Sequence, residues 1–174
     1  IINSVKKWII FFFINIKSEN KLLLKNFKVK KEWVDYNDHL NMAYYVLMFD
    51  MAWEVALEKF KMGGTAAKNS ARSTMVVETH TAYLKEVREN DDVNVNLTYF
   101  DHDTKRLHLK MEMIKKKTNQ ISATMEWISL YINLDKRKVT EFENDKLNLM
   151  DKFIIDNNLS FLTNNLYFSA KLKK

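Results

Sequence analysis

The chain has 174 residues, of which 47% are hydrophobic and 13% aromatic, so it is long and apolar enough to form one domain with a sizeable core. Its formal charge of +6 comes from scattered lysines without an Arg-rich or aromatic-interleaved motif, so we expect a solvated basic surface and no nucleic-acid partner. Because the chain has no cysteine, disulfides, thiolate metal sites and cysteine nucleophiles are excluded.

The start of the chain resembles a signal peptide only superficially. Two lysines precede an apolar stretch, Trp8 to Ile14, that falls well short of the ~20 residues a membrane-spanning helix needs. No small-residue cleavage site follows it, so we expect a cytoplasmic protein without a membrane partner. We divide the chain into an N-terminal appendage, a single domain and a C-terminal tail, at residues 1–20, 21–160 and 161–174.

A strand and a long helix are predicted in the first third of the chain. The strand covers residues 27–34, "FKVKKEWV", and a polar segment separates it from the helix. Asp38 or Asn41 is the candidate helix N-cap, and the only two glycines, Gly63 and Gly64, are expected to close the helix with a left-handed residue. The apolar face that predicts the helix has i, i+3, i+4, i+7 spacing and consists of Tyr44, Leu47, Met48, Met51, Ala52, Val55 and Ala56.

Four strands and a terminal helix are predicted after the glycines. Alternating and β-branched residues indicate strands over 73–87, 93–100, 106–113 and 121–134. A polar turn candidate lies between each two consecutive strands of these four. Consecutive strands are therefore expected to pair as a meander of hairpins. Val93, Val95, Leu97 and Tyr99 are expected on one face, and residues 145–157 form the helix. This order indicates an α+β fold with an antiparallel sheet packed on one helix.

The polar segment carries a resemblance to a known family. "VDYNDHLNMAYYVLMFDMA", residues 34–52, resembles the D-x-x-G-H-x-N-x-x-x-Y-x-x-x-F-x-x-A pattern of the hydroxybenzoyl-CoA thioesterase branch of the hotdog superfamily. "VVETHTAYLKEV" and "DHDTKRLHL" look like segments of its betainyl-CoA thioesterase-like subgroup, whose members also occur fused to carnitine dehydrogenases. The matching positions are Asp35, His39, Asn41, Tyr45, Phe49 and Ala52.

The resemblance implies both a fold and an activity. The fold is the hotdog fold, an antiparallel sheet wrapped around one long central helix. The activity is hydrolysis of a small acyl-CoA, such as betainyl-CoA or a related carnitine-pathway thioester, with coenzyme A as part of the substrate and no further cofactor. One departure is Asp38, which stands in the family's glycine position; Asp tolerates a left-handed backbone better than most residues.

Thioester hydrolysis needs a water or carboxylate that attacks the carbonyl carbon, and donors aimed at the developing oxyanion. The first N–H groups of a helix lack intrahelical partners and suit that negative charge. The resemblance implies that Asp35 is the catalytic carboxylate, as nucleophile or as general base. Asn41 positions the carbonyl or simply caps the helix, and His39 shapes the acyl pocket or ties down the turn.

Further candidates lie outside the polar segment. Glu78 is a second catalytic or substrate-binding candidate, because a carboxylate among apolar strand residues is costly unless it is paired, for example with His80. Arg106 is a candidate ligand of coenzyme A phosphates, with an ordinary surface role as the alternative. The histidines have no ligand spacing, so no metal site is expected. Aromatic candidates for cation–π contact with a quaternary ammonium group, or for plain core packing, are Tyr44, Tyr45, Trp53 and Tyr83.

Assembly and rival functions follow from the same resemblance. Hotdog active sites are shared between subunits, and a lone unit exposes a sheet edge, so we expect a homodimer or homotetramer. One rival is a non-catalytic acyl-CoA-binding module. The other is a hotdog dehydratase or hydratase, which usually pairs His with Asp in a different helix-borne motif.

Overall fold

A computed structural model describes residues 21–168 and 172 of the chain. The predicted N-terminal appendage lies outside these residues. No helix among them is long and apolar enough to cross a membrane. The strands are β1 (Leu22–Lys28), β2 (Arg72–Tyr83), β3 (Asp92–His102), β4 (Arg106–Lys115), β5 (Gln120–Asn133) and β6 (Lys138–Val139). The helices are α1 (Met42–Lys59), α2 (Gly64–Ser70) and α3 (Asn144–Asn157), with short 3-10 turns at Lys31–Trp33 and Asn158–Ser160.

The sheet is antiparallel and has the strand order β1-β3-β4-β5-β2, with β6 paired to β5. The predicted meander is confirmed for β3, β4 and β5 but is wrong for β2, which pairs with β5 instead of β3. Residues 84–91 explain the difference, because they cross the start of α1, where Leu40 N donates to Val87 O at 2.7 Å. This crossing carries the chain from β2 at one edge of the sheet to β3, which is next to the other edge strand, β1.

Helix α1 packs against the inner face of the sheet and forms the centre of the core. The central strands bury residues towards the helix, including Val95 on β3, Leu109 on β4 and Trp127 on β5. The predicted helix is confirmed, but its core face is rotated from the predicted one. Leu47 and Met51 are 42% and 37% exposed. The buried residues of α1 are Tyr45, Met48, Phe49, Ala52, Trp53, Ala56 and Leu57.

Two local predictions near the strands are wrong. The first strand covers Leu22–Lys28 rather than residues 27–34, because Val29 N bonds Asp91 O at 2.9 Å and the chain then turns through Lys31–Trp33. A bulge between Leu97 and Tyr99 breaks the alternation of β3. Phe100 therefore takes the core position, and the Tyr99 ring packs on His108, on the outer face, at 4.9 Å.

The end of α1 is also closed differently from the prediction. The left-handed residue is Lys61, with φ 57°, whereas neither glycine has a positive φ. A Cβ atom at Gly63 would overlap the Glu58 carboxylate, which is the movable end of an exposed side chain. The left-handed conformation predicted for a glycine is therefore taken by Lys61.

The C-terminal part of the chain packs onto the domain. The predicted helix is confirmed as α3, whose Phe153 ring lies 5.1 Å from Phe60 and 5.9 Å from Phe100. Residues 161–168, which we call the C-terminal strap, then run across the outer face of the sheet. Leu162 N donates to Thr98 O at 2.7 Å at the start of the strap, and Phe168 is 2% exposed near its end.

Candidate active site

The loop that carries Asp35 is a tight turn held by its own backbone. An isolated antiparallel bridge joins Val34 to Leu40, and Asp35 N donates to His39 O at 2.9 Å. Asn37 N donates to Asp35 Oδ1 at 2.8 Å, an Asx-type bond that fixes the carboxylate. Asp38 has φ 58°, so it adopts the left-handed conformation that the family's glycine position was expected to require. Among the described residues, Asp35 Oδ2 has no hydrogen-bond donor, which leaves that oxygen for chemistry.

The start of α1 lies directly after this loop. Asn41 is the N-cap, as predicted, and its Oδ1 accepts a hydrogen bond from Ala43 N at 3.0 Å. Tyr44 N bonds Asn41 O at 3.0 Å. The Met42 N–H is the first of the helix and has no acceptor within residues 21–168, so it can donate to a developing oxyanion.

Loop and helix start open into one cleft of ≈680 Å³. The Tyr45 ring meets the Tyr83 ring edge-to-face at 5.2 Å and forms part of its wall. Burial raises the pKa of the Tyr45 hydroxyl to about 12, although a hydrogen bond with the Val87 backbone acts in the opposite direction. This phenol therefore stays neutral at ordinary pH. The lining residues are Asp35, Tyr36, His39, Leu40, Asn41, Met42, Tyr45, Tyr83, Leu84, Lys85 and Glu86.

A chain of polar contacts begins in the cleft lining at His39 and Glu86 and continues to Arg88. His39 Nε2 lies 2.7 Å from Glu86 Oε2, and Arg88 Nη2 lies 3.0 Å from the other carboxylate oxygen, Oε1. The side chains of His39 and Glu86 are 41% and 49% exposed, so both are accessible from the cleft.

Comparison with known proteins identifies the family. Residues 29–153 match the thioesterase-like superfamily. The chain belongs to this superfamily. Betainyl-CoA thioesterase of Pseudomonas aeruginosa is 33% identical over 119 residues, which cover 68% of this chain and 75% of that protein. A Rhizobium meliloti protein described as L-carnitine dehydrogenase/betainyl-CoA thioesterase is 25% identical over 119 residues, 68% of this chain but 24% of its own length.

Solved structures share the fold. A protein of Staphylococcus aureus, determined in complex with CoA, aligns with a TM-score of 0.74 at 24% identity and covers 88% of this chain and 95% of that chain. The predicted hotdog fold and the predicted class, a thioester hydrolase, are thereby confirmed.

The structure of this superfamily member brings together five of the predicted site residues and separates four. The five in the cleft are Asp35, His39, Asn41, Tyr45 and Tyr83. The other four lie elsewhere in the protomer: Tyr44, Trp53, Glu78 and Arg106.

The separated residues have other surroundings. Tyr44 stacks on Trp33 at 5.7 Å, beside the cleft and not in its lining. Trp53 is 2% exposed and packs among Phe100 and Trp127, so within the protomer it is a core residue. Arg106 begins β4, at the opposite end of the sheet from Tyr83, and its Nε lies 3.1 Å from Asp103 Oδ2.

Glu78 lies on the edge strand β2 and is exposed in the protomer, so it is not the buried carboxylate that the sequence suggested. The exposure does not depend on the face that Glu78 takes, because residues 75–80 of this edge strand are all exposed. His80, its suggested partner, stacks instead on Tyr167 of the C-terminal strap at 4.2 Å.

The sequence analysis missed Met42 and Glu86. Met42 contributes only its backbone N–H, which carries no side-chain signal. Glu86 follows β2 in "YLKEVR" and meets His39 only because residues 84–91 cross the helix start.

Proposed function

We propose that this chain hydrolyses an acyl-CoA thioester to a free acid and CoA in the cleft at the start of α1. The observation that carries the proposal is the placement of the Asp35 carboxylate and the first N–H of a helix in the same cleft. These two groups supply the attack on the carbonyl carbon and the stabilisation of the oxyanion.

The reaction assigns one task to each group. Met42 N–H donates a hydrogen bond to the carbonyl oxygen as negative charge develops on it, and Asn41 holds the helix start by accepting the cap bond from Ala43 N. Asp35 either removes a proton from the attacking water or attacks the carbonyl itself. As a general base, Asp35 takes a proton from water, whose oxygen bonds to the carbonyl carbon as the carbon–sulfur bond breaks. As a nucleophile, the Asp35 oxygen displaces the CoA thiolate and forms a mixed anhydride, which water then hydrolyses to the free acid and the Asp35 carboxylate. In both cases the thiolate takes up a proton, and the net reaction consumes one water.

Betainyl-CoA is the proposed substrate. The P. aeruginosa betainyl-CoA thioesterase is 33% identical to this chain. Tyr36, Tyr45 and Tyr83 line the cleft, and aromatic side chains suit a trimethylammonium group through cation–π contact. A neutral acyl group of the same shape lacks that attraction.

A homodimer is the proposed assembly. Strand β2 is an edge of the sheet, and Met75, Val76 and Val77 on it are 42%, 48% and 55% exposed. An apolar edge strand of 12 residues is a template for pairing, and antiparallel pairing of β2 with its copy is self-complementary. Since Tyr83 ends β2, the start of the partner's β2 would then lie beside the cleft. A homotetramer would require a second interface.

Thiol release from CoA thioesters tests the activity. We expect Asp35→Asn to lower kcat by ~10²–10⁴-fold with little change in KM, because the carboxylate acts on the transition state. Asp38→Asn is the matched control. It removes a carboxylate three residues after Asp35, and Asn also tolerates the left-handed backbone of that position. Equal activity of the two variants would contradict the role of Asp35.

A matched pair of substrates tests the acyl group. Betainyl-CoA and tert-butylacetyl-CoA have the same shape and differ in the charge of one atom. We expect a higher kcat/KM for betainyl-CoA, and equal values would overturn the cation proposal. If neither these nor short-chain and aryl thioesters are hydrolysed, but CoA esters still bind, the chain is a binding module instead.

A further inference from the structure

The contact between His39 and Glu86 fixes the proton position on the imidazole ring. Nε2 lies 2.7 Å from Glu86 Oε2, and an ionised carboxylate can only accept hydrogen bonds. Nε2 must therefore carry a proton. In the neutral ring the second nitrogen, Nδ1, then has a free lone pair and is an acceptor.

Glu86 is itself held in place by its neighbours. Arg88 Nη2 lies 3.0 Å from Oε1, so the two carboxylate oxygens face two different donors. Arg88 N donates to Asp91 Oδ2 at 2.8 Å, and Lys115 Nζ lies 2.7 Å from the same oxygen. These bonds anchor the segment after β2 to the sheet. Glu86 thus lies on an anchored segment, and its carboxylate lies between Arg88 and His39.

We propose that Glu86 is a positioning residue that acts through His39. By holding Nε2–H, it leaves Nδ1 as the ring atom that accepts a hydrogen bond from the attacking water in the cleft. The Met42 N–H then has the complementary task of binding the carbonyl oxygen. This assignment rests on the proposed thioesterase function for its catalytic part. The tautomer that it requires does not depend on activity.

Nitrogen-15 NMR of the imidazole rings tests the tautomer. At about pH 9 an ordinary imidazole is neutral, and long-range proton–nitrogen correlations distinguish Nε2–H from Nδ1–H. His39→Gln assigns the signal among the four histidines. We expect the Nε2–H form in the wild-type protein and a mixture of both forms in Glu86→Ala. The control is Glu89→Ala, which removes a carboxylate from the same segment and should leave the wild-type pattern unchanged.

A double-mutant cycle on turnover tests the coupling. We expect Glu86→Ala to lower kcat on the order of 10-fold with KM changed by less than about 2-fold, and to have no further effect in a His39→Ala background. A wild-type Nδ1–H form, or effects of the two substitutions that multiply independently, would overturn the proposal. If no thioester is turned over, the proposed function fails, whereas the spectra still decide whether Glu86 sets the tautomer of His39. Circular dichroism of each variant confirms that it is folded.

Discussion

At the scale of single residues, the left-handed backbone of Asp38 holds the turn that presents Asp35. Its φ of 58° is unfavourable for residues with a Cβ atom, and less so for Asp than for Ala. We expect Asp38→Ala to lower the free energy of unfolding by about 1 kcal/mol and Asp38→Gly to leave it unchanged or raise it. Urea unfolding measures both. Asn37→Ala, at the neighbouring exposed position, is the control and should change stability by less than about 0.5 kcal/mol.

The same scale shows which site residues a sequence can reveal. Asp35, His39 and Asn41 lie within seven positions, so one motif identifies them and one turn brings them together. Glu86 is invisible to such a motif, because its contact with His39 depends on the path of residues 84–91 across the helix start. For Trp53 the sequence left ligand contact and core packing open, and the structure shows core packing. Aromatic residues on a helix suit a ligand pocket and a core equally well, and only the rotation of α1 decides between them.

At the scale of elements, apolar periodicity identified α1 and the three strands β3, β4 and β5, although β4 and β5 bury residues on both faces. It failed where a single residue changes the phase. The bulge after Leu97 turns Tyr99 outward, and no composition signal marks it. Helix α1 is apolar on two sides, so its core face could not be distinguished from the face bearing Leu47 and Met51.

A buried carboxylate holds the end of the C-terminal strap to the outer face of the sheet. Glu126 is 2% exposed and accepts hydrogen bonds from Tyr167 N at 2.9 Å and Phe168 N at 2.7 Å. His108 Nε2 lies 2.8 Å from its Oε1, and Lys110 Nζ donates to Asn165 O at 2.7 Å. Burial acts to raise the pKa of Glu126. The hydrogen bonds from Tyr167 N, Phe168 N and His108 outweigh burial and hold the pKa below its usual range.

Removal of that charge should loosen the C-terminal strap. We expect Glu126→Gln to lower the free energy of unfolding by about 2 kcal/mol, since a buried charged acceptor of backbone N–H groups is lost. Amide exchange at Tyr167 and Phe168 should accelerate. The control is Glu112→Gln on β4, whose carboxylate pairs with Lys21 at 3.3 Å and whose loss should cost less than about 1 kcal/mol. Equal effects of the two substitutions would contradict the role of Glu126.

Because the pKa of Glu126 is lowered in the folded state, its contribution to the stability of the protein depends on pH with a known sign. Its stabilising contribution is fully present above the ordinary glutamate pKa of about 4.3 and is lost as the pH falls through the lower pKa of the folded state. In acid, the wild-type protein should therefore approach the stability of Glu126→Gln. Urea unfolding of both proteins between neutral pH and about pH 3 measures the convergence.

At the scale of the whole molecule, two apolar surfaces meet along one side of the domain. The exposed side of α1 carries Leu47 and Met51, and β2 carries Val76 and Val77. The two elements are adjacent, because a cavity of ≈160 Å³ is lined by Asp50 and Glu54 of α1 together with Ser73, Thr74 and Val76 of β2. A second copy paired along β2 would cover the strand edge and the helix face at the same time.

A charge on that edge should separate the copies. Val77 is 55% exposed on β2, and Val77→Lys places an ammonium where the partner strand would pair. In light scattering we expect the mass to change from twice the 20.8 kDa chain mass to that of a single chain. Thioesterase turnover should fall with the dimer, since the cleft beside Tyr83 then lacks the partner strand. The control is Val139→Lys, at a 46% exposed valine on β6, which should keep both the mass and the activity. If light scattering gives the mass of a single chain for the wild-type protein, and that protein hydrolyses the thioester, one copy forms a complete site.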